Sequence, residues 1–365
     1  MIPVEIYTTV YFVLLCALLI VAFLPNYSPY PLGKAPVNRF VSISLLVLTI
    51  GFIGLRATKA PAKYMGDTSA YTRTYEEIDR GRQSEFVKDI GFYSFMKVST
   101  AFLSVQGFYI LCAFMYVLLP YITFKKWFGE LSLYIFITYV VAFSFLPFGI
   151  NALRNGLASA LFIYGLGFTK KKWVMYGLFI LSISFHKGMI LPTLAFILAQ
   201  LFNHPKKILF LWLSSIPISL LFSKNLESIV LEFFSGQSLI QDIRAATYFS
   251  ENDIEYRVES AFRVDFILYS SVAVFLGFWA IVKKKYNNLL YKQIYGLYVI
   301  ANAIWILLIY APYTNRIAYL SWFIMPIVLT VPFISNIRNT IPKNKKKLLY
   351  VILGSLMFTI FMELI

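Results

Sequence analysis

The sequence is short of charge and of reactive side chains. Of its 365 residues only 14% are charged, against roughly 25% in an ordinary soluble domain, and that shortage excludes a water-soluble enzyme. Its two cysteines, Cys16 and Cys112, both lie inside apolar runs and far from any C-x-x-C spacing. Neither a disulfide framework nor a zinc site is expected. There are two histidines, His186 and His204, so imidazole chemistry has only two places to sit. Low-complexity tracts and fixed-period repeats are missing, which excludes a solenoid or an array. The N-terminal apolar run has no basic flank, carries Glu5, and is longer than the roughly 7–15 residues of a signal-peptide core, so it reads as a retained segment.

Apolar and aromatic residues make up 59% of the chain, with a mean hydropathy of +0.71. The apolar runs recur from Ile6 to Ile365. A spanning helix needs about 20 such residues, and runs near 5–24, 40–55, 92–123, 131–147, 151–168, 173–186, 188–202, 208–222, 261–282, 290–311, 315–335 and 348–364 meet or approach that length. The prediction is an all-α polytopic membrane protein of about twelve spans, forming one embedded domain over 1–365. The three runs between 173 and 222 are short, which leaves tilted, joined and re-entrant arrangements open.

A net charge of +16 would point to nucleic acid in a soluble protein, but here topology explains it and no nucleic-acid partner is expected. Assigning alternate connections to the two sides puts 18 of the 33 basic residues on one side with a single acid, Glu130. That side is cytoplasmic. The connections there are short and Lys-rich, as in Thr169-Lys170-Lys171-Lys172. Two long connections of mixed charge, about 56–91 and 223–260, then face outward. Their interspersed Tyr, Phe and Ile suit amphipathic helices on the membrane surface.

Outside, or at the outer ends of spans, arginine replaces lysine: Arg56, Arg73, Arg80, Arg82, Arg154, Arg244, Arg257, Arg263 and Arg316. Arginine presents a planar fork that grips phosphate oxygens in pairs, whereas lysine is a hydrated point charge. The constellation therefore points to an anionic substrate. Arg154 follows Pro147, an expected helix break, and is costly at a span end unless paired, hydrated or lining a cavity; a snorkelling helix anchor is the plainer reading. His186, in Ser184-Phe185-His186-Lys187-Gly188, can take a proton near neutral pH, as activation of a sugar hydroxyl requires, or can simply be hydrogen-bonded at a helix junction. Arg263 stands near both Asp265 and Glu259 and could pair with either. Asp67, in Gly66-Asp67-Thr68, could be an ordinary helix N-cap. Tyr64, Tyr71, Tyr75 and Tyr248 suit stacking on sugar rings.

Taken in order, Arg56, Gly66-Asp67-x3-Tyr71, Asp89-x-Gly91-Phe92, Arg154, Phe185-His186, Phe262-Arg263-x-Asp265 and Asn315-Arg316 resemble the EpsG family of bacterial polysaccharide polymerases, a Wzy-type group. The resemblance implies a glycosyltransferase that joins undecaprenyl-diphosphate-linked oligosaccharide repeat units at the outer face of the plasma membrane. It also implies a helical architecture loosely shared with class C glycosyltransferases, and a flippase and a chain-length regulator as partners beside the lipid bilayer. On this reading Arg154, Arg263 and Arg316, with Arg56, hold the diphosphate in place of a metal, and no cofactor is needed. Tyr71 and Asp265 belong to the same substrate-binding set. His186, Asp67 or Asp89 accepts the proton of the attacking hydroxyl. The rivals are an O-antigen-type ligase with the same donor, a flippase or transporter of lipid-linked sugars, and a membrane acyltransferase. A flippase should carry its charge in a cavity open to both sides, and the halves show no inverted repeat.

Overall fold

The structure, a computed structural model, describes residues 3–23, 36–82, 89–202, 204–235, 262–311, 314–335 and 341–364. Among these residues helix is the only regular structure. Five helical stretches are long and apolar enough to cross a membrane: Val4–Val21, Val105–Val140, Pro205–Phe222, Val264–Lys283 and Thr314–Ile334. Three shorter apolar helical stretches, Asn38–Gly54, Lys172–Phe185 and Lys187–Leu201, accompany them. Such helices make this a membrane protein.

The chain packs as two compact units, residues 1–189 with 333–365, and residues 190–332. The first unit runs through α1 (Tyr7–Phe23), α2 (Pro36–Gly54), a short turn α3 (Ala62–Met65), α4 (Thr68–Asp79), α5 (Ile90–Thr100), α6 (Val105–Phe128), α7 (Ser132–Val140), α8 (Phe145–Ile150), α9 (Leu153–Leu166) and α10 (Lys172–Phe185). It is completed by α17 (Ile341–Leu364). Within the connection 56–91, read as amphipathic, Thr68–Asp79 forms helix: α4 buries Thr68, Thr72, Tyr75 and Ile78.

At the centre of this unit α6 packs on α2 and α9. Lipid tails are as apolar as leucine, so close backbone approach and cross-helix hydrogen bonds, more than hydrophobic burial, hold such helices together. In α9 the run Gly156, Ala158, Ser159 and Ala160 allows that approach, and the Ser182 hydroxyl of α10 donates to the Ala158 carbonyl at 2.6 Å. Beside it Phe162 and Phe179 stack at 4.1 Å between centroids. The opposite face of α10 leaves Trp173 and Ile180 exposed.

Several runs that read as single spans are broken. Residues 92–123 divide into α5 and α6, because Ser104 leaves helical geometry and its hydroxyl accepts the Gly107 amide at 3.2 Å, starting a new helix. Pro147 is not itself a break. It sits in the first turn of α8, where a missing amide costs nothing, and the chain leaves the helix on either side, at 141–144 and at 151–152. The break at Val141 frees a carbonyl that Thr359 of α17 satisfies with its hydroxyl at 2.8 Å.

The second unit comprises α11 (Ile190–Leu201), α12 (Pro205–Ser235), α13 (Val264–Phe278) with a π turn over Trp279–Lys283, α14 (Leu289–Leu307), α15 (Thr314–Trp322) and α16 (Met325–Ser335), whose last turn belongs to the first unit. Its core holds a buried polar hub on α14. The Asn302 side chain accepts from Trp212 Nε1 at 2.8 Å and donates to Ser270 and Ser321 at 3.1 and 3.0 Å. Ser270 Oγ in turn accepts from Trp322 Nε1 at 2.8 Å. A satisfied network of this kind fixes one packing of four helices in a surround that offers no water.

Candidate functional site

The start of α4, the start of α5, the start of α9 and the end of α10 meet within the first unit. Gly66 makes part of that meeting possible. It has a φ of +52°, which disfavours other residues, and a Cβ there would lie 2.1 Å from Asn151 Oδ1. The same Asn151 oxygen accepts the Asp67 amide at 2.9 Å, and the Thr68 hydroxyl donates to the Ile150 carbonyl at 3.2 Å. Asp67 thus occupies the N-cap position of α4, but its carboxylate makes no capping bond. Across the cluster Gly91 lets α5 lie against α10, since a Cβ would come within 2.2 Å of Ser184 Oγ and 2.9 Å of the Ser184 carbonyl carbon.

These approaches bring Asp89 to Arg154 and His186. Asp89 holds the N-cap position of α5 and is buried, yet its carboxylate caps nothing in that helix. Instead Oδ2 accepts from Arg154 Nη1 at 2.6 Å and Oδ1 from the Lys187 amide at 3.2 Å. His186 ends α10 in an extended conformation, with Nδ1 3.6 Å from Asp89 Oδ2. That separation is too long for a hydrogen bond. With Nδ1 buried, the partly exposed His186 ring keeps Nε2 as its working nitrogen. Tyr71 of α4 closes the group, its hydroxyl 3.4 Å from Arg154 Nε.

Each charge has an electrostatic reason for its place. Arg154 is the second residue of α9, at the positive end of the helix dipole, where a cation is unfavourable without an anion beside it. Asp89 supplies that anion. Burial pushes the Asp89 carboxyl up, but the His186 ring, the Arg154 guanidinium and the Lys187 amide together outweigh it and hold the carboxyl below its ordinary value. The floor beneath the charges is aromatic: Phe92 lies 5.8 Å from Tyr71 and 6.3 Å from Phe185. The weakly polar surround strengthens every charge interaction above it.

The other predicted residues are placed differently. Arg56 is fully buried, donates Nη1 to the Ile53 and Gly149 carbonyls at 2.7 and 3.1 Å, and lies over the Tyr109 ring at 4.1 Å. Its Nε and Nη2 have no hydrogen-bond partner among the described residues. With no exposed surface it touches no ligand in this arrangement, and it ties the end of α2 to the end of α8. In the second unit Arg263 and Asp265 pair with each other, Nε to Oδ1 at 2.9 Å and Nη2 to Oδ2 at 2.6 Å, and the guanidinium covers the Phe266 ring at 3.6 Å. Arg316 lies in the first turn of α15, its amide on the Asn315 side chain at 3.0 Å. Tyr75 is buried with its hydroxyl on the Leu103 carbonyl at 2.6 Å, so it offers no face to a sugar. Arg244, Tyr248, Arg257 and Glu259 lie outside the described residues, as does all of 236–261.

Sequence reasoning assigned no role to Asn151 or Lys187. Asn151 carried no signal beyond its place near Arg154. Lys187 adjoins His186, but nothing local shows that its amide reaches the same carboxylate as Arg154. Among the described residues no three His, Cys, Asp or Glu side chains group as a metal site would need.

Fold and site together define a helical membrane protein with a buried carboxylate that organises an arginine and a histidine. The chain matches the EpsG family over residues 38–364 and belongs to it. No curated protein and no solved structure matches it.

Proposed function

We propose that this chain is a metal-independent glycosyltransferase of the bacterial plasma membrane, a Wzy-type polymerase that joins undecaprenyl-diphosphate-linked repeat units into exopolysaccharide, capsule or O-antigen glycan. The family membership supports the polymerase class. The observation that carries the site is the single Asp89 carboxylate serving both Arg154 and His186. In this reading the chain crosses the bilayer about twelve times, in an architecture loosely like that of class C glycosyltransferases, and the cluster faces outward.

The chemistry follows from the geometry. An acceptor hydroxyl oxygen attacks the anomeric carbon of the donor sugar, and its proton passes to His186 Nε2. The bond from that carbon to the diphosphate oxygen breaks, and the electron pair leaves with the lipid diphosphate. Arg154 lies against the leaving oxygens and stabilises the charge that develops there. Asp89 orients both groups: it anchors the guanidinium and favours the ring tautomer that keeps Nε2 free to accept. With its carboxyl held low and both oxygens occupied, Asp89 is a poor base and acts as a positioning residue. Asp67 is the second candidate base and Tyr71 a substrate contact. Arg263, Asp265 and Arg316 are proposed, on the resemblance, as substrate-binding residues of the second unit. A flippase and a chain-length regulator complete the expected partners.

The test removes the protein from its source cell and restores either wild type or Arg154→Ala, followed by mass spectrometry of surface glycan and lipid-linked intermediates. Single repeat units should accumulate on an outward-facing carrier, with long glycan returning only with wild type. Full-length glycan stranded on lipid would instead identify a ligase, and units confined to the cytoplasmic face a flippase.

A further inference from the structure

Among the described residues, the cluster around Asp89 holds two cationic side chains, Arg154 and Lys187, beside one carboxylate. Asp89 neutralises Arg154 at 2.6 Å. Lys187 meets the same carboxylate only through its backbone amide, at 3.2 Å. Its ammonium has no hydrogen bond or ion pair among the described residues, although the residue is partly buried and adjoins His186. The residue is partly exposed and no described side chain holds its ammonium, so the charge is open to an anion that enters the site.

We propose that Lys187 is a second substrate-binding cation of this site, whose ammonium takes a phosphate oxygen of a lipid diphosphate while Arg154 takes the other phosphate. The inference rests on the reading that the donor is a lipid diphosphate. The two cations divide the work by their chemistry. The Arg154 fork is held rigidly by Asp89, whereas the lysine is a point charge on a flexible four-carbon stem. That stem can follow the phosphate as the anomeric bond lengthens and charge builds on the leaving oxygen. Because Asp89 already balances Arg154, Lys187 supplies the net positive charge that a second phosphate requires. The pair therefore selects a diphosphate over a monophosphate.

The backbone contact makes the test clean. Any side chain at 187 other than proline keeps the amide bond to Asp89, so Lys187→Met removes the charge and leaves the arrangement of Asp89, Arg154 and His186 in place. Binding of undecaprenyl diphosphate and undecaprenyl monophosphate is measured on purified protein in nanodiscs of zwitterionic lipid, for wild type, Lys187→Met, Lys187→Gln and Lys187→Arg. Loss of one charge-assisted hydrogen bond predicts diphosphate binding about ten- to a hundredfold weaker in the Met and Gln variants. Monophosphate binding should change less than about threefold, and Lys187→Arg should recover most of the loss. Diphosphate binding equal to wild type in the Met or Gln variant overturns the assignment. Equal weakening of both lipids also overturns it, because that would be general attraction and no phosphate contact. If wild type binds neither lipid, the functional reading itself fails, and the role of Lys187 with it.

Discussion

Asp89→Asn is the most informative substitution at this site, because it changes chemistry and leaves shape alone. The carboxylate presents two acceptor oxygens, and the structure uses both: Oδ2 for Arg154 at 2.6 Å and Oδ1 for the Lys187 amide at 3.2 Å. Asparagine keeps one acceptor and turns the other into a donor, which must then face either a guanidinium or an amide N–H. Breaking a buried ion pair costs about 3–5 kcal/mol. Arg154 is 20% exposed and Asp89 5%, so a discounted cost of about 2 kcal/mol is expected here. Loss of an ordered guanidinium and an oriented ring should lower kcat about a hundredfold. The assay is the initial rate of glycan extension by purified protein. If Asp89 works through His186, the double variant Asp89→Asn with His186→Ala should be no slower than about threefold below His186→Ala alone. Fully multiplicative losses would show Asp89 acting through Arg154 or on the substrate and not through the ring, and retention of wild-type rate by Asp89→Asn would remove it from the site.

The same carboxylate sets a pH dependence. Its folded value is lowered, so its contribution to stability is complete above the ordinary carboxylate range near pH 4 and is lost as pH falls through the lower folded value. Thermal melts of wild type and Asp89→Asn should therefore differ by a constant amount above about pH 5 and converge in stronger acid; a gap that widens on acidification contradicts this. Gly91→Val should force α5 away from Ser184, with activity reduced at least about tenfold in protein that still inserts; rate and insertion equal to wild type would show that the close approach does not matter. Arg56→Ala should reduce the yield of folded protein, since it opens a cavity and frees two helix-end carbonyls at a cost of about 3 kcal/mol or more. Arg154→Ala should fold and elute as wild type, melting lower by about the same 2 kcal/mol as Asp89→Asn, while losing activity, so the two arginines separate by phenotype. Asn302→Leu leaves Trp212 Nε1 unpaired and should lower the melting temperature by the equivalent of about 1–3 kcal/mol, with no shift expected only if the hub is not formed.

The helical class was legible because it depends on composition. The breaks inside apolar runs were not. Ser104 and the stretch 141–144 carry no Gly or Pro, and the carbonyl freed at Val141 is satisfied by Thr359, 218 residues away. For Arg263 the sequence offered two partners within four residues, Asp265 and Glu259, and the structure pairs it with Asp265. For Asp89 it offered none, since its partners Arg154 and Lys187 are 65 and 98 residues distant. Arg56 read as an exposed ligand of phosphate, and the fold buries it, since nothing local reveals that Gly149 and Tyr109 will close over it.

Reconstitution tests the central claim most directly. Purified protein in nanodiscs, supplied only with undecaprenyl-diphosphate-linked repeat units, should yield a ladder of lipid-linked oligomers and release undecaprenyl diphosphate in equal number to the bonds formed. Arg154→Ala, inserted and folded, should yield neither. Oligomers formed at the wild-type rate by Arg154→Ala, or no oligomers from wild type with intact substrate, would contradict the account.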